Sequence, residues 1–219
     1  MLGGLGIQAS ILAYRLLNQF YSQRKGQGHT CPLRLLNVDF EPINQLLPYQ
    51  QKASAKLLLP YLQDINQQDV CCIIMPNNTL HQSLDIILEK HSFEKPILHI
   101  GHLLHAEIKK LKRAQVMILG TAYTMQSGYL QSFLPEISNN ILPNNSLLSK
   151  VEDLRKLYFH SSDTELSLQI WEDLNHQYPE VDYFIVACTE LSIAFNSINE
   201  KKLDTLDLLC RSAVDYLFV

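Results

Sequence analysis

The chain has 219 residues, 47% of them hydrophobic and 18% charged, with a formal net charge of −4. That length supports one large domain or two smaller ones with real cores, and the residue balance is that of an ordinary globular protein. The slight acidity gives no electrostatic reason to expect nucleic acid or an anionic membrane as a partner, and no apolar run approaches the roughly 20 residues that cross a bilayer.

The first residues lack a basic lead and a secretory apolar core, so a cytoplasmic protein is expected. Five cysteines, Cys31, Cys71, Cys72, Cys188 and Cys210, are an odd number without framework spacing. A reducing compartment fits them better than a disulfide scaffold.

Leu2-Gly3-Gly4-Leu5-Gly6 reads as a strand entering a glycine turn. Its spacing is not that of a dinucleotide fingerprint; a backbone anion cradle and a plain tight turn are the alternatives. Further strands are expected at 33–40, 70–76, 96–99, 115–119 and 183–187, and helices at 7–25, 42–65, 80–89, 103–112, 165–178 and 205–218. Cys71 and Cys72 are adjacent in the second of these strands and are expected on opposite faces. They, Cys31 and Cys210 read as small buried hydrophobes. Lys109, Lys110, Lys112 and Arg113 read as a solvated helix end that suits the helix dipole. The Asn-, Ser- and Pro-rich stretch 138–149 reads as loop around one short strand.

Strands alternating with helices define an α/β protein with mainly parallel sheets. The halves repeat one another: Ile118-Leu119-Gly120-Thr121 is again a strand into a glycine turn. Two pseudo-symmetric lobes are therefore expected. The first spans 1–100 plus 200–219, where the last helix returns, and the second spans 101–199. Ligands of open α/β sheets sit beyond the carboxyl ends of the strands, so the polar strand tips are expected to line one cleft between the lobes.

Two of those tips correspond. Cys72-Ile73-Ile74-Met75-Pro76-Asn77-Asn78-Thr79-Leu80-His81 and Phe184-Ile185-Val186-Ala187-Cys188-Thr189-Glu190-Leu191 are apolar runs ending in small polar residues, and Asn77 falls where Cys188 sits. A thiol at a helix start is expected to favour thiolate and to serve as an acid or base. Asn78, Thr79, Thr121, Thr124 and Thr189 offer hydroxyl, amide and N–H donors for a carboxylate and an enolate-like oxyanion, or serve as plain N-caps. His99, His102 and His105 lack an acidic or cysteine companion, so no metal site is expected.

These motifs resemble the aspartate/glutamate racemase superfamily through nearly the whole chain. Gly3-Gly4-Leu5-Gly6 with Ala9-Ser10 is similar to its opening glycine loop. Pro76-Asn77-Asn78-Thr79-Leu80-His81 resembles its P-C-N-T-x-H motif, and Gly120-Thr121-Ala122-Tyr123-Thr124-Met125 its G-T-x-x-T-M motif. Cys188-Thr189-Glu190-Leu191 matches its second cysteine motif, and Leu203-Asp204-Thr205 resembles the lead into its last helix. The resemblance implies an amino-acid racemase that uses neither pyridoxal phosphate nor metal, exchanges a proton at Cα of an acidic amino acid, and forms a homodimer. Cys188 would act on the L face. Gly4 and Ser10 in the glycine loop, with Asn78, Thr79, Thr121, Thr124 and Thr189, would hold the substrate. Glu190 and His81 would tune the thiol or orient the ammonium group.

The chain departs from that pattern at three places. Asn77 replaces the first cysteine, and an amide is no base at neutral pH, so symmetric two-thiol racemisation is excluded. A water or His81 takes the second role, or one face alone is served. Val38-Asp39-Phe40 lacks the arginine that binds a side-chain carboxylate in one branch; Arg155 and Lys156 could replace it but read more simply as an exposed helix face. Beginning at Met1-Leu2, the chain leaves the first central strand short. Two alternatives follow: a single-cysteine relative such as a malonate-type decarboxylase, or an inactive amino-acid-binding homologue.

Overall fold

The computed structural model describes residues 1–111, 113–158 and 164–218; Lys112, at the end of the expected helix 103–112 and in the basic run, lies outside them. The chain divides into two compact units, Met1–Leu103 with Leu206–Val219, and Leu104–Thr205.

In the first unit, β1 (Leu2–Gly3) pairs in parallel with β2 (Leu36–Asn37), Leu2 opposite Leu36. On its other side the Leu2 N–H donates to the Ile74 carbonyl at 2.9 Å, and Ile73 forms a parallel bridge with Ile97. The strands expected at 70–76 and 96–99 are thus reduced to extended segments that meet at one bridge. β1 is only two residues long, yet it is bonded on both sides and Leu2 is fully buried. Around this ladder pack α1 (Ile7–Lys25), α2 (Glu41–Asn44), α3 (Gln51–Asn66) and α4 (His81–Leu88). Ala9, Leu12, Ala13, Leu16, Leu17 and Phe20 recur at helical spacing and form the buried face of α1. Leu58, Leu62, Ile73, Met75, Leu80 and Leu84 belong to the core beneath the ladder. The helix expected over 42–65 is broken between α2 and α3. Pro48 has no N–H and disfavours helical geometry at Leu47 before it. α5 (Ile100–Lys109) begins in this unit.

The second unit holds a four-stranded parallel sheet. Its order is β4 (Asn139–Asn140), β3 (Gln115–Leu119), β5 (Tyr183–Val186), β6 (Lys202–Asp204). β3 and β5 are buried almost throughout, which is why they read as continuous apolar runs rather than alternating ones. α6 (Ala122–Gln126) and α9 (Thr189–Ala194) follow β3 and β5 directly. α7 (Asn145–Tyr158) and α8 (Thr164–Gln177) supply Leu147, Val151, Leu154, Trp171 and Leu174 to the core with Phe184 and Phe195. Trp171 meets the Phe184 and Phe195 rings at centroid distances of 5.2 and 4.9 Å, a geometry worth about 1 kcal/mol per pair beyond area burial.

α7 begins inside the stretch expected to be loop. The Asn144 side chain accepts from the Leu147 N–H at 2.9 Å, so the polar run is a helix N-cap signal. α10 (Thr205–Asp215) returns to the first unit, where Cys210 is buried with its thiol facing the Ala13 carbonyl.

Candidate active site

Each unit joins two of the polar strand tips. In the first, the glycine loop after β1 meets the tip 76–78. Gly4 has φ +82, and a Cβ there would lie 2.1 Å from the Val38 carbonyl oxygen, so only glycine fits. The Ser10 hydroxyl accepts from the Gly4 N–H at 2.9 Å and donates to the Gly6 carbonyl at 3.1 Å. Ser10 is buried and spans the turn from inside.

Asn77 ties this loop to the start of α4. Its amide donates to the Leu5 carbonyl at 2.9 Å, and its oxygen accepts from the Leu80 N–H at 3.2 Å. Asn78 is buried, and among the described residues its Oδ1 has no hydrogen-bond partner. Thr79 is half-buried beside it.

His81 is fully buried rather than presented to a ligand. Its Nε2 lies 3.1 Å from the Met75 carbonyl and its Nδ1 accepts from the Ile100 N–H at 3.4 Å. That pairing places the proton on Nε2. Burial, and then the neighbouring His99, depress its pKa to about 3 against a partial counter-pull from the Met75 carbonyl and Asp85. The His99 ring packs edge-on against it and pairs with Asp85 at 3.1 Å. His81 therefore pins the strand tip from behind. Among the described residues, no three His, Cys, Asp or Glu side chains could hold a metal ion.

In the second unit, β3 and β5 run side by side, and their tips meet. A Cβ on Gly120 would lie 3.2 Å from the Ala187 carbonyl oxygen and 3.0 Å from Thr124, so glycine permits the close approach. Thr121 caps α6, its hydroxyl accepting from the Thr124 N–H at 3.0 Å. The two hydroxyls lie 2.9 Å apart.

Cys188 is the N-cap of α9 and is 7% exposed. Its Sγ donates to Glu190 Oε2 at 2.8 Å, and the Thr189 hydroxyl donates to the same oxygen at 3.3 Å. The thiol is pushed well above its ordinary value, first by burial, then by the Glu190 charge and its hydrogen bond. The sequence leads one to expect the opposite direction from the helix start. α9 has only six residues, and burial together with the Glu190 carboxylate outweighs the pull of Arg155 and of the Glu190 N–H at the helix start.

Two features escape sequence reasoning. The Ser192 hydroxyl donates to the Cys188 carbonyl at 3.2 Å and also lies 3.0 Å from Asp204 Oδ1, and the Thr205 hydroxyl donates to the Val186 carbonyl at 2.9 Å. These bonds fix the backbone on which the thiol stands. Arg155 is not an exposed face. It is half-buried and makes two bonds to Glu152, at 2.6 and 3.0 Å, which hold its pKa above the ordinary value. Its charge acts on Cys188 in the direction opposite to Glu190.

The model of the Asp/Glu/Hydantoin racemase family matches residues 2–213, and the chain belongs to that family. A Yersinia pestis crystal structure, provisionally an Asp/Glu racemase, is 25% identical with a TM-score of 0.79, over 100% of this chain and 97% of that one. An aspartate racemase homologue from Pyrococcus horikoshii is 18% identical with a TM-score of 0.80, over 100% and 97%. The aspartate racemase of Picrophilus torridus is 19% identical with a TM-score of 0.76, over 98% and 91%. The last two likenesses carry the fold alone. No helix among the described residues is long and apolar enough to cross a membrane.

Proposed function

We propose that the protein is a cytoplasmic, pyridoxal-phosphate-independent amino-acid racemase of the aspartate/glutamate type, in which Cys188 is the group that exchanges the Cα proton. The Cys188–Glu190 bond of 2.8 Å carries this assignment. A thiol already hydrogen-bonded to a carboxylate has a place to send its proton and a place to recover it. The cationic ammonium of a bound amino acid opposes the Glu190 field and favours the thiolate.

The free hydroxyl proton of the Thr121–Thr124 pair, and that of Thr189 once it turns from its 3.3 Å contact with Glu190 Oε2, are the donors for the α-carboxylate and for the enolate-like charge formed when the proton leaves. Within the first unit, Asn78 has a buried unpaired oxygen of the kind that accepts from an ammonium group. Gly4 and Ser10 build the loop rather than offering free side-chain groups. Asn77 has both ends of its amide committed to Leu5 and Leu80, and His81 is uncharged near neutral pH with both ring nitrogens engaged, Nε2–H on the Met75 carbonyl and Nδ1 on the Ile100 N–H. Proton exchange in this reading therefore runs through a single thiol. Ile7, Ile11 and Tyr14 stand exposed along one face of α1 and offer an apolar surface for a second copy in a homodimer.

The protonated state of Cys188 also favours a second reading, in which the thiol delivers a proton to an enediolate left by loss of carbon dioxide from a substituted malonate. One experiment separates the two. Deuterium uptake at Cα of L-aspartate or L-glutamate in heavy water supports the racemase. Carbon dioxide release from substituted malonates without such uptake supports the decarboxylase. Neither reaction, with amino-acid binding in calorimetry unaffected by Cys188→Ser, leaves a non-catalytic binder.

A further inference from the structure

Cys71 and Cys72 do not occupy opposite faces of a strand. Both lie outside helix and strand, and Cys71 is exposed while Cys72 is half-buried. Their sulfurs are 3.9 Å apart and hydrogen-bonded. They line a pocket of about 450 Å³ in the first unit with Cys31, Arg34, Asp69 and the chain start at Met1. This pocket is at the amino ends of β1 and the 73–74 segment, whereas Gly4 and Asn77 follow the carboxyl ends. None of its residues serves the proton transfer proposed for Cys188.

We propose that Cys71 and Cys72 form a reversible dithiol–disulfide site that is oxidised by hydroperoxides. Cys71, the exposed member, is the thiol that meets the oxidant. Its thiolate attacks one peroxide oxygen, the O–O bond breaks, and a sulfenic acid forms with release of hydroxide. The Cys72 sulfur then attacks the Cys71 sulfur and expels the sulfenic oxygen, which leaves as water with the Cys72 proton. The hydroxide takes up the proton that Cys71 gave up on ionising, so the two thiols lose two electrons and hydrogen peroxide becomes two waters; an organic hydroperoxide becomes an alcohol and one water. Burial, then the Cys71 charge, push the Cys72 pKa up to about 12. Cys72 thus waits as a protonated resolving partner and does not compete for the oxidant.

Cys31 shares the pocket, but its thiol faces the Pro32 carbonyl at 3.7 Å. Adjacent Cα atoms are about 3.8 Å apart, less than the usual disulfide span of roughly 4.4–6.8 Å. The ring that closes is strained and is readily opened again by a monothiol or dithiol.

Peptide mapping of the full chain tests this. Trypsin places Cys71 and Cys72 together on peptide 57–90 without another cysteine, and Cys31 on peptide 26–34. Folded, reduced protein is treated with hydrogen peroxide, blocked with N-ethylmaleimide and digested. The expected product is peptide 57–90 about 2 Da lighter than its reduced form, unalkylated at both cysteines and restored by dithiothreitol. The same product is expected from Cys31→Ser, and none from Cys71→Ser. Full double alkylation of 57–90 in wild type overturns the proposal. So does a cross-link between 57–90 and 26–34, or sulfinic acid at Cys71 with Cys72 alkylated.

Discussion

Cys188 Sγ lies 2.8 Å from Glu190 Oε2 and donates to it, two residues along the same turn. A thiol in this position is a proton carrier whose state is set by one carboxylate. Burial is the largest cause of its raised pKa, and Glu190 supplies the next two. Arg155 from α7 pulls the other way while it is held by Glu152.

Replacing Glu190 by Gln keeps the size of the side chain and removes its charge. The Cys188 thiolate is then expected at lower pH than in wild type. The difference in thiolate ultraviolet absorbance between each protein and its Cys188→Ser counterpart measures this. An unchanged or upward shift contradicts the role given to Glu190.

Stability at alkaline pH carries the same signature. The folded-state pKa of Cys188 is raised above its ordinary value of 9.0. The stabilisation it contributes is therefore fully present below about 9 and is lost as pH rises through the folded value. Urea midpoints followed upward from pH 8 should fall more steeply for wild type than for Cys188→Ala. Parallel curves would place the thiol in a less buried setting.

His81 gives the opposite dependence. Its folded pKa is lowered from 6.5 to about 3, so its contribution is present above 6.5 and lost as pH falls towards 3. Its ring carbon–proton resonances should not titrate between pH 7 and 5. A His81 titration near 6.5 would mean that the ring is open to solvent.

The glycine loop should be intolerant of side chains. Gly4→Ala drives a Cβ into the Val38 carbonyl at a positive φ, and a loss of more than about 2 kcal/mol is expected. Asn77→Ala removes the bonds to Leu5 and Leu80 and is expected to cost about 1–3 kcal/mol. Urea denaturation measures both. An Asn77→Ala protein as stable as wild type would show that the clamp contributes nothing.

Much of this architecture is legible in the residues. The helical spacing of Leu12, Leu16 and Phe20 marks α1, and the apolar run Val116-Met117-Ile118-Leu119 marks β3, because periodicity and run length report burial directly. What is less legible depends on neighbours distant in sequence. Ile73 and Ile97 keep their apolar character although they form only one bridge, so the strands there look longer than they are. Asn144 resembles loop because capping and turn residues are the same types. The candidate site was readable as a set of residue types: Cys188, Glu190 and the threonines stand at strand tips. The direction of the Cys188 shift was not, since it rests on the depth of packing around the sulfur. Nor was the interior position of His81, which is set by Met75 and Ile100.

The most direct test of the central claim is Cα–H exchange followed by proton NMR, with L-aspartate and L-glutamate in heavy water and wild type beside Cys188→Ser. The wild-type enzyme should wash deuterium into Cα of one of them, and the variant should be slower by at least about 100-fold. Exchange that persists at the wild-type rate in Cys188→Ser, or none by wild type at any substrate concentration, would contradict the assignment of Cys188 as the proton carrier.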